Sequence, residues 1–171
     1  EELIKIGAEI GSDVPFFFSC PMAFVEGRGE IIKPLEIKKN QTLLLIKPPV
    51  SISSAWAYSS IGEKKDKDLE FKKSLYQKNI QLIHNCLNND MIYDLKEKLH
   101  NDFESIVFKK YPIISDLKNR LIEKGAAVAL MSGSGSTIFG VFKDKNEALD
   151  VSRHFHGYWC SVVETIADKK D

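Results

Sequence analysis

No two cysteines in this chain stand at Cys-x-x-Cys spacing; the three present, Cys20, Cys86 and Cys160, are scattered and odd in number. That pattern offers neither a zinc site nor a disulfide framework, and it suits a reducing, cytoplasmic compartment. Net charge is also missing, because 24 Lys and Arg are balanced by 24 Asp and Glu. A balanced chain has no long-range attraction for a nucleic-acid backbone or an anionic membrane, so neither is expected as a partner. No apolar run approaches the roughly 20 residues of a membrane span, and no signal peptide is visible. Internal repeats and low-complexity tracts are lacking as well. The chain opens EELIKIGAEIG, without an initiator Met and already in a helical pattern, so further residues are expected upstream.

What is present is the composition of a globular domain: 171 residues, 43% hydrophobic and 28% charged. A chain of that length hides roughly 70% of its unfolded surface and needs no covalent staples. Leu3, Ile6 and Ile10 recur at helical spacing, with Gly11 as a left-handed stop. Pro15 is expected to hold Val14 extended. AFVEGRGEIIKPL reads as a hairpin whose turn is bracketed by Gly27 and Gly29. EIKKNQ is a polar break, and a domain boundary is placed there, near Lys38. TLLLIKPP reads as a short buried strand, and SISSAWAYSS as a helix capped at Ser53 or Ser54. Helical segments come next, between Lys72 and Lys110. After Pro112 comes a helix capped near Ser115 and stopped by Gly125. Two strands, a helix from about Lys145 and a final strand, CSVVETIA, complete the chain. Without a regular βαβ repeat, this mixture implies an α+β fold with a largely antiparallel sheet.

MSGSGSTIFGVF, Met131 to Phe142, raises the question of phosphate binding. A Walker-type loop needs G-x-x-x-x-G-K-[ST] between a strand and a helix. SGSGS has no lysine, and the residues after it alternate like a strand, so no helix N-terminus faces an anion. A strand–turn–strand connection is the simplest reading. The surplus of glycine and serine beyond what a turn requires also lets the backbone approach a ligand closely.

GSDVPFF, then GRGE, then NDFESIVFKKYPIISDLKNRLIEKGA, then GAAVALMSGSGSTIFGVF together resemble the later part of a GHMP-superfamily kinase, in order and in spacing. Among its members they are most similar to the branch acting on a cytidine-diphosphate-linked alcohol in non-mevalonate isoprenoid synthesis. The resemblance covers essentially the whole chain and is weakest from Glu63 to Lys98. It implies a ferredoxin-like C-terminal domain for residues 38–171, preceded in 1–37 by the tail of a ribosomal S5 domain 2-like ATP-binding domain. It implies ATP as co-substrate, accompanied by Mg²⁺. The family's phosphate loop, P-x-x-x-G-L-G-G-S-S at a helix N-terminus, has no counterpart here; nor does its N-terminal lysine beside the catalytic aspartate. The isolated chain is therefore expected to lack kinase activity.

By position, the resemblance assigns Asp13 as catalytic aspartate, where the residues alone favour an ordinary turn or capping aspartate. It places Tyr58 against the cytosine, with Ser54 one helical turn away on the same face; packing of Tyr58 in the core beside Trp56 is the alternative. Arg28, at the hairpin tip, would touch the cytidine half or lie solvated. Gly133, Ser134, Gly135 and Ser136 would wall the substrate cleft. His154 and His156 lack the partners a metal site needs, His84 and His100 read as surface residues of helices, and Cys20 as a small buried residue. Two rivals stay open: another GHMP kinase, of homoserine or mevalonate type, and a non-catalytic ferredoxin-like small-molecule-binding domain.

Overall fold

The computed structural model describes residues 2–18, 20–27, 29, 31–61, 69–96 and 98–167, with the backbone alone for 69–77. Every described strand pairing is antiparallel. The first part of the chain holds helix α1 (Glu2–Ile10), a 3₁₀ turn (Val14–Phe18) and a two-stranded ribbon, β1 (Ala23–Glu26) and β2 (Ile31–Pro34). Two expectations fail here. Val14 is the first residue of the 3₁₀ turn and not extended; proline's fixed φ and missing N–H suit the first turn of a helix. Gly11 follows α1 without a positive φ; its N–H bonds the Gly7 carbonyl at 3.1 Å, one more helical i to i−4 bond in place of a left-handed stop. The hairpin is as read, with Gly27 at φ 71° and Gly29 at φ 119°. This part buries little of its own apolar surface: Leu3, Ile6, Ile10, Phe17 and Phe18 are all exposed.

From residue 42 onward a four-stranded sheet takes over. Its elements are β3 (Thr42–Lys47), α2 (Ser54–Ile61), α3 (Leu69–Asn88), α4 (Glu104–Lys110), α5 (Pro112–Glu123), β4 (Val128–Met131), β5 (Ile138–Phe142), α6 (Lys145–Ser152) and β6 (Trp159–Glu164). The strand order is β4-β5-β3-β6. Strand, helices, two strands, helix, strand, with the first and third strands central, is the ferredoxin-like arrangement. Alternation along β3 divides the core. Leu44 and Ile46 are fully buried with Leu117 and Leu121 of α5, Ala148 of α6 and Phe155. Leu43 points the other way, toward Cys86 of α3, Leu95, Val128 and Val141. Each fully buried aliphatic contributes about 1.5–3 kcal/mol, so the sheet is held from both faces.

The sequence misplaces one cap and one histidine. Pro112 is itself the first residue of α5, Tyr111 precedes it, and Ser115 lies inside the helix. Proline at that position needs no N–H partner and arrives with helical φ. The far end is as expected: the Gly125 N–H bonds the Ile122 carbonyl at 3.1 Å and that of Ala126 the Leu121 carbonyl at 3.0 Å, a Schellman stop. His100 lies in the segment before α4, outside any helix. His84 is on α3, with its Nε2 2.5 Å from the Glu36 carbonyl oxygen. Asn88 also engages residues 36–38, accepting from the Lys38 N–H at 2.8 Å and donating to the Glu36 carbonyl at 3.1 Å. The polar break is thereby tied to α3.

Candidate functional site

Where the β1–β2 ribbon meets the sheet domain there is a cleft of about 850 Å³, within the range of small-molecule sites. Three stretches far apart in sequence wall it. Ser12 and Asp13 enter from the corner between α1 and the 3₁₀ turn, Ser54 and Tyr58 from α2, and Ser132 to Gly135 from the β4–β5 loop. Gly27, Gly29 and Phe103 complete the lining.

Asp13 is exposed within this cleft, so its carboxylate is reachable by a ligand. The hairpin fixes its neighbour. Gly29 is buried, and a Cβ built on it would lie 2.8 Å from the backbone oxygen of Ser12. At φ 119° a side chain would also be strained there. Only glycine lets the ribbon's turn seat against Ser12 and hold the Asp13 corner in place.

The glycine-serine loop is a hairpin connection by geometry and a cleft wall by position. Gly135 N–H bonds the Ser132 carbonyl at 3.0 Å, and Ser132 N–H bonds the Thr137 carbonyl at 2.9 Å. Gly133 and Gly135 take φ 53° and 91°. Behind the loop, the Asn101 side-chain amide donates to the carbonyls of Met131 at 2.8 Å and Gly133 at 2.7 Å. Ser134 Oγ lies 2.8 Å from Ser54 Oγ, joining the loop to α2. Ser136 departs from the expected grouping. It is buried and its hydroxyl donates to the Val50 carbonyl at 2.5 Å, so it anchors the loop's base rather than lining the cleft.

The two aromatic residues of α2 part company. Trp56 is half-buried, edge-on to Tyr111 at 6.2 Å. Tyr58 is 69% exposed and stands edge-on to Phe103, ring centroids 4.9 Å apart. Core packing of Tyr58 is therefore excluded, and the residue lines the cleft. Arg28 lies outside the described residues.

Sequence reasoning missed Phe103, Asn101, Ser12 and the direct lining by Gly27 and Gly29. The Asn-Asp-Phe-Glu run was visible, but its place in the cleft depends on contacts with residues some thirty positions downstream. Cys20 is half-buried. Among the described residues no group of three His, Cys, Asp or Glu could hold a metal ion, and no helix is long and apolar enough to cross a membrane. The remaining thiols lie outside the cleft: burial, and then the negative charge of Asp94, pushes the Cys86 thiol up, and burial pushes up that of Cys160.

With this geometry in hand, residues 71–159 match the family described as GHMP kinases C terminal. A Thermodesulfovibrio yellowstonii protein named 4-diphosphocytidyl-2-C-methyl-D-erythritol kinase is 46% identical over 97% of the chain and 57% of its own length. A relative of the same name from Alkaliphilus oremlandii is 36% identical over 90% of the chain and 50% of its own length. The chain thus spans about half the length of the curated relatives it matches. A crystal structure of 4-(cytidine 5'-diphospho)-2C-methyl-D-erythritol kinase superposes with a TM-score of 0.74, at 22% identity, over 96% of this chain and 57% of that one. At that identity the superposition speaks for the fold.

Proposed function

Since the chain belongs to the GHMP kinases, we propose that it serves an ATP-dependent phosphotransferase acting on the 2-hydroxyl of 4-diphosphocytidyl-2-C-methyl-D-erythritol, in isoprenoid precursor synthesis. The activity is that of the whole kinase, and a cytoplasmic location goes with it. The single observation that carries the reading is the meeting of Asp13, Tyr58 and the Ser132–Gly135 loop around one cleft. A carboxylate, an exposed aromatic ring and a hydroxyl-rich glycine loop are what an alcohol tethered to a nucleotide needs.

In this reading Asp13 accepts the proton of the substrate hydroxyl as its oxygen attacks the γ-phosphorus of ATP. The new O–P bond forms, the bond to the β-phosphate oxygen breaks, and ADP leaves. Positioning and electrostatics do most of the work in such transfers, and a placed base contributes typically 10²–10⁴-fold. Tyr58 would stack on the cytosine, a contact worth about 1–3 kcal/mol, with Ser54 beside it. Gly133, Ser134 and Gly135 would offer amides and hydroxyls to the substrate's oxygens. Arg28 is proposed for the cytidine half. ATP would be cradled by residues other than these. Mg²⁺ would come with ATP; the described residues supply no cluster to hold it, and no step is routed through it.

We place the domain boundary near residue 38. The separate ribbon and the exposed apolar side chains of residues 3–31 support reading 1–37 as the tail of an ATP-binding domain. The open ring of Tyr58 favours a cytidyl-linked substrate over homoserine or mevalonate. The test is transfer of phosphate from ATP by the complete kinase, with ³¹P NMR identifying the phosphorylated hydroxyl. Transfer to homoserine or mevalonate in preference to the cytidyl-linked alcohol would overturn the substrate assignment.

A further inference from the structure

Strand β4 is at the edge of its sheet, where backbone groups lack a strand to pair with. Two side chains from the segment entering α4 satisfy them at Met131. The Glu104 carboxylate accepts from the Met131 N–H at 2.9 Å, and Asn101 Nδ2 donates to the Met131 carbonyl at 2.8 Å and the Gly133 carbonyl at 2.7 Å. Asn101 Oδ1 accepts from the Phe103 N–H at 2.9 Å. Both amide protons and one carbonyl lone pair of Asn101 are therefore engaged, on two different walls of the cleft. Its donors grip the glycine-serine loop. Its acceptor fixes the backbone of Phe103, whose ring supports Tyr58.

We propose that Asn101 is a positioning residue that sets the separation between the aromatic wall and the glycine-serine loop, and so fixes where a substrate hydroxyl lies once its base is bound at Tyr58. The proposal rests on the kinase reading and names a residue to which that reading gave no role. Asn101 touches no reacting group; it acts through Gly133 and Phe103. A purely structural role is the competing explanation, since an Asn two residues before a backbone N–H it accepts from is also an ordinary Asx turn leading into a helix.

Two variants of the complete kinase separate these. Asn101→Asp keeps the acceptor for Phe103 but turns a carboxylate on the two loop carbonyls; Asn101→Ala loses all three bonds. Positioning predicts that Asn101→Asp lowers kcat about tenfold or more, as misplacement of reacting groups by an ångström does, and leaves the Kd for CDP near the wild-type value. Asn101→Ala should lower kcat similarly and also weaken CDP. An Asx-turn role predicts that Asp restores kcat, and that result would overturn the proposal; so would equal loss of kcat and CDP affinity in Asn101→Asp. Should either variant fail to fold, ¹⁵N-resolved NMR of the wild-type protein decides. Both Asn101 Nδ2 protons should exchange slowly and couple to the Met131 and Gly133 carbonyl carbons; fast exchange without those couplings overturns the clamp. A wild-type kinase that leaves the cytidyl-linked alcohol unphosphorylated refutes the functional reading instead, and the couplings still judge Asn101.

Discussion

The hydroxyls of Ser54 and Ser134 lie 2.8 Å apart, across 80 residues of sequence. This contact closes one side of the cleft, because it ties the first turn of α2, which carries Tyr58 four residues on, to the tip of the β4–β5 loop. The position of the ring and the shape of the loop are therefore coupled.

Tyr58 projects into the cleft without supporting the core, so its removal should cost binding and not folding. Tyr58→Ala should weaken CDP by about 1–3 kcal/mol, roughly 5–150-fold, while Tyr58→Phe retains most of the affinity. Isothermal titration with CDP measures both. Equal affinity for the Ala variant would remove the stacking assignment.

The loop glycines should differ in a graded way. A Cβ on Gly135 would meet Ile52 Cδ1 and Met131 Sδ, each at 2.8 Å, whereas one on Gly133 meets nothing within 4 Å. Gly133→Ala bears only the cost of positive φ, roughly 1–2 kcal/mol. Gly135→Ala adds overpacking of typically about 1–3 kcal/mol. Urea unfolding of the two variants should rank them in that order, and a reversed order would contradict the loop geometry.

Behind the loop, Glu104 accepts from the Met131 N–H and pairs with Lys118 Nζ at 2.6 Å. The two side chains are only 13% and 24% exposed. Lys118→Met leaves the carboxylate without its cation and should destabilise the fold by about 1–3 kcal/mol. Lys118→Met with Glu104→Gln should recover part of that loss, which a double-mutant cycle reads directly.

How much of this was legible from residues depended on range. Short apolar runs gave away β3 and β4, alternation gave away β5, and Gly125 after a helical run gave away the end of α5, because those signals are local. Asp13 and the glycine-serine loop stood out through their motifs. Ser136 looked like one more hydroxyl in a polar loop; only the fold reveals that its partner is Val50, 86 residues away. Asn101 was hidden for the same reason, since its donors act on carbonyls 30 and 32 residues downstream. Pro112 and Pro15 were misread because proline both disfavours helix before it and favours the first helical turn, and local sequence does not say which preference wins.

Alkaline pH should weaken the fold through its thiols. Cys86 and Cys160 have raised pKa values in the folded chain, chiefly from burial. The folded state therefore holds their protons after the unfolded state has released them. The stability they contribute is complete below the unfolded thiol value, about 8.5, and is lost as pH rises through the folded values. Thiolate absorbance near 240 nm should appear at higher pH in the folded than in the unfolded chain. The reverse order would contradict the burial assigned to these residues.

The most direct measurement is turnover of the complete kinase carrying Asp13→Asn, with CDP affinity and thermal unfolding followed alongside. If Asp13 takes the proton of the attacking hydroxyl, kcat falls by roughly 10²–10⁴-fold while CDP binding and the unfolding midpoint hold. Turnover near the wild-type rate would contradict that role and leave the cleft without its base.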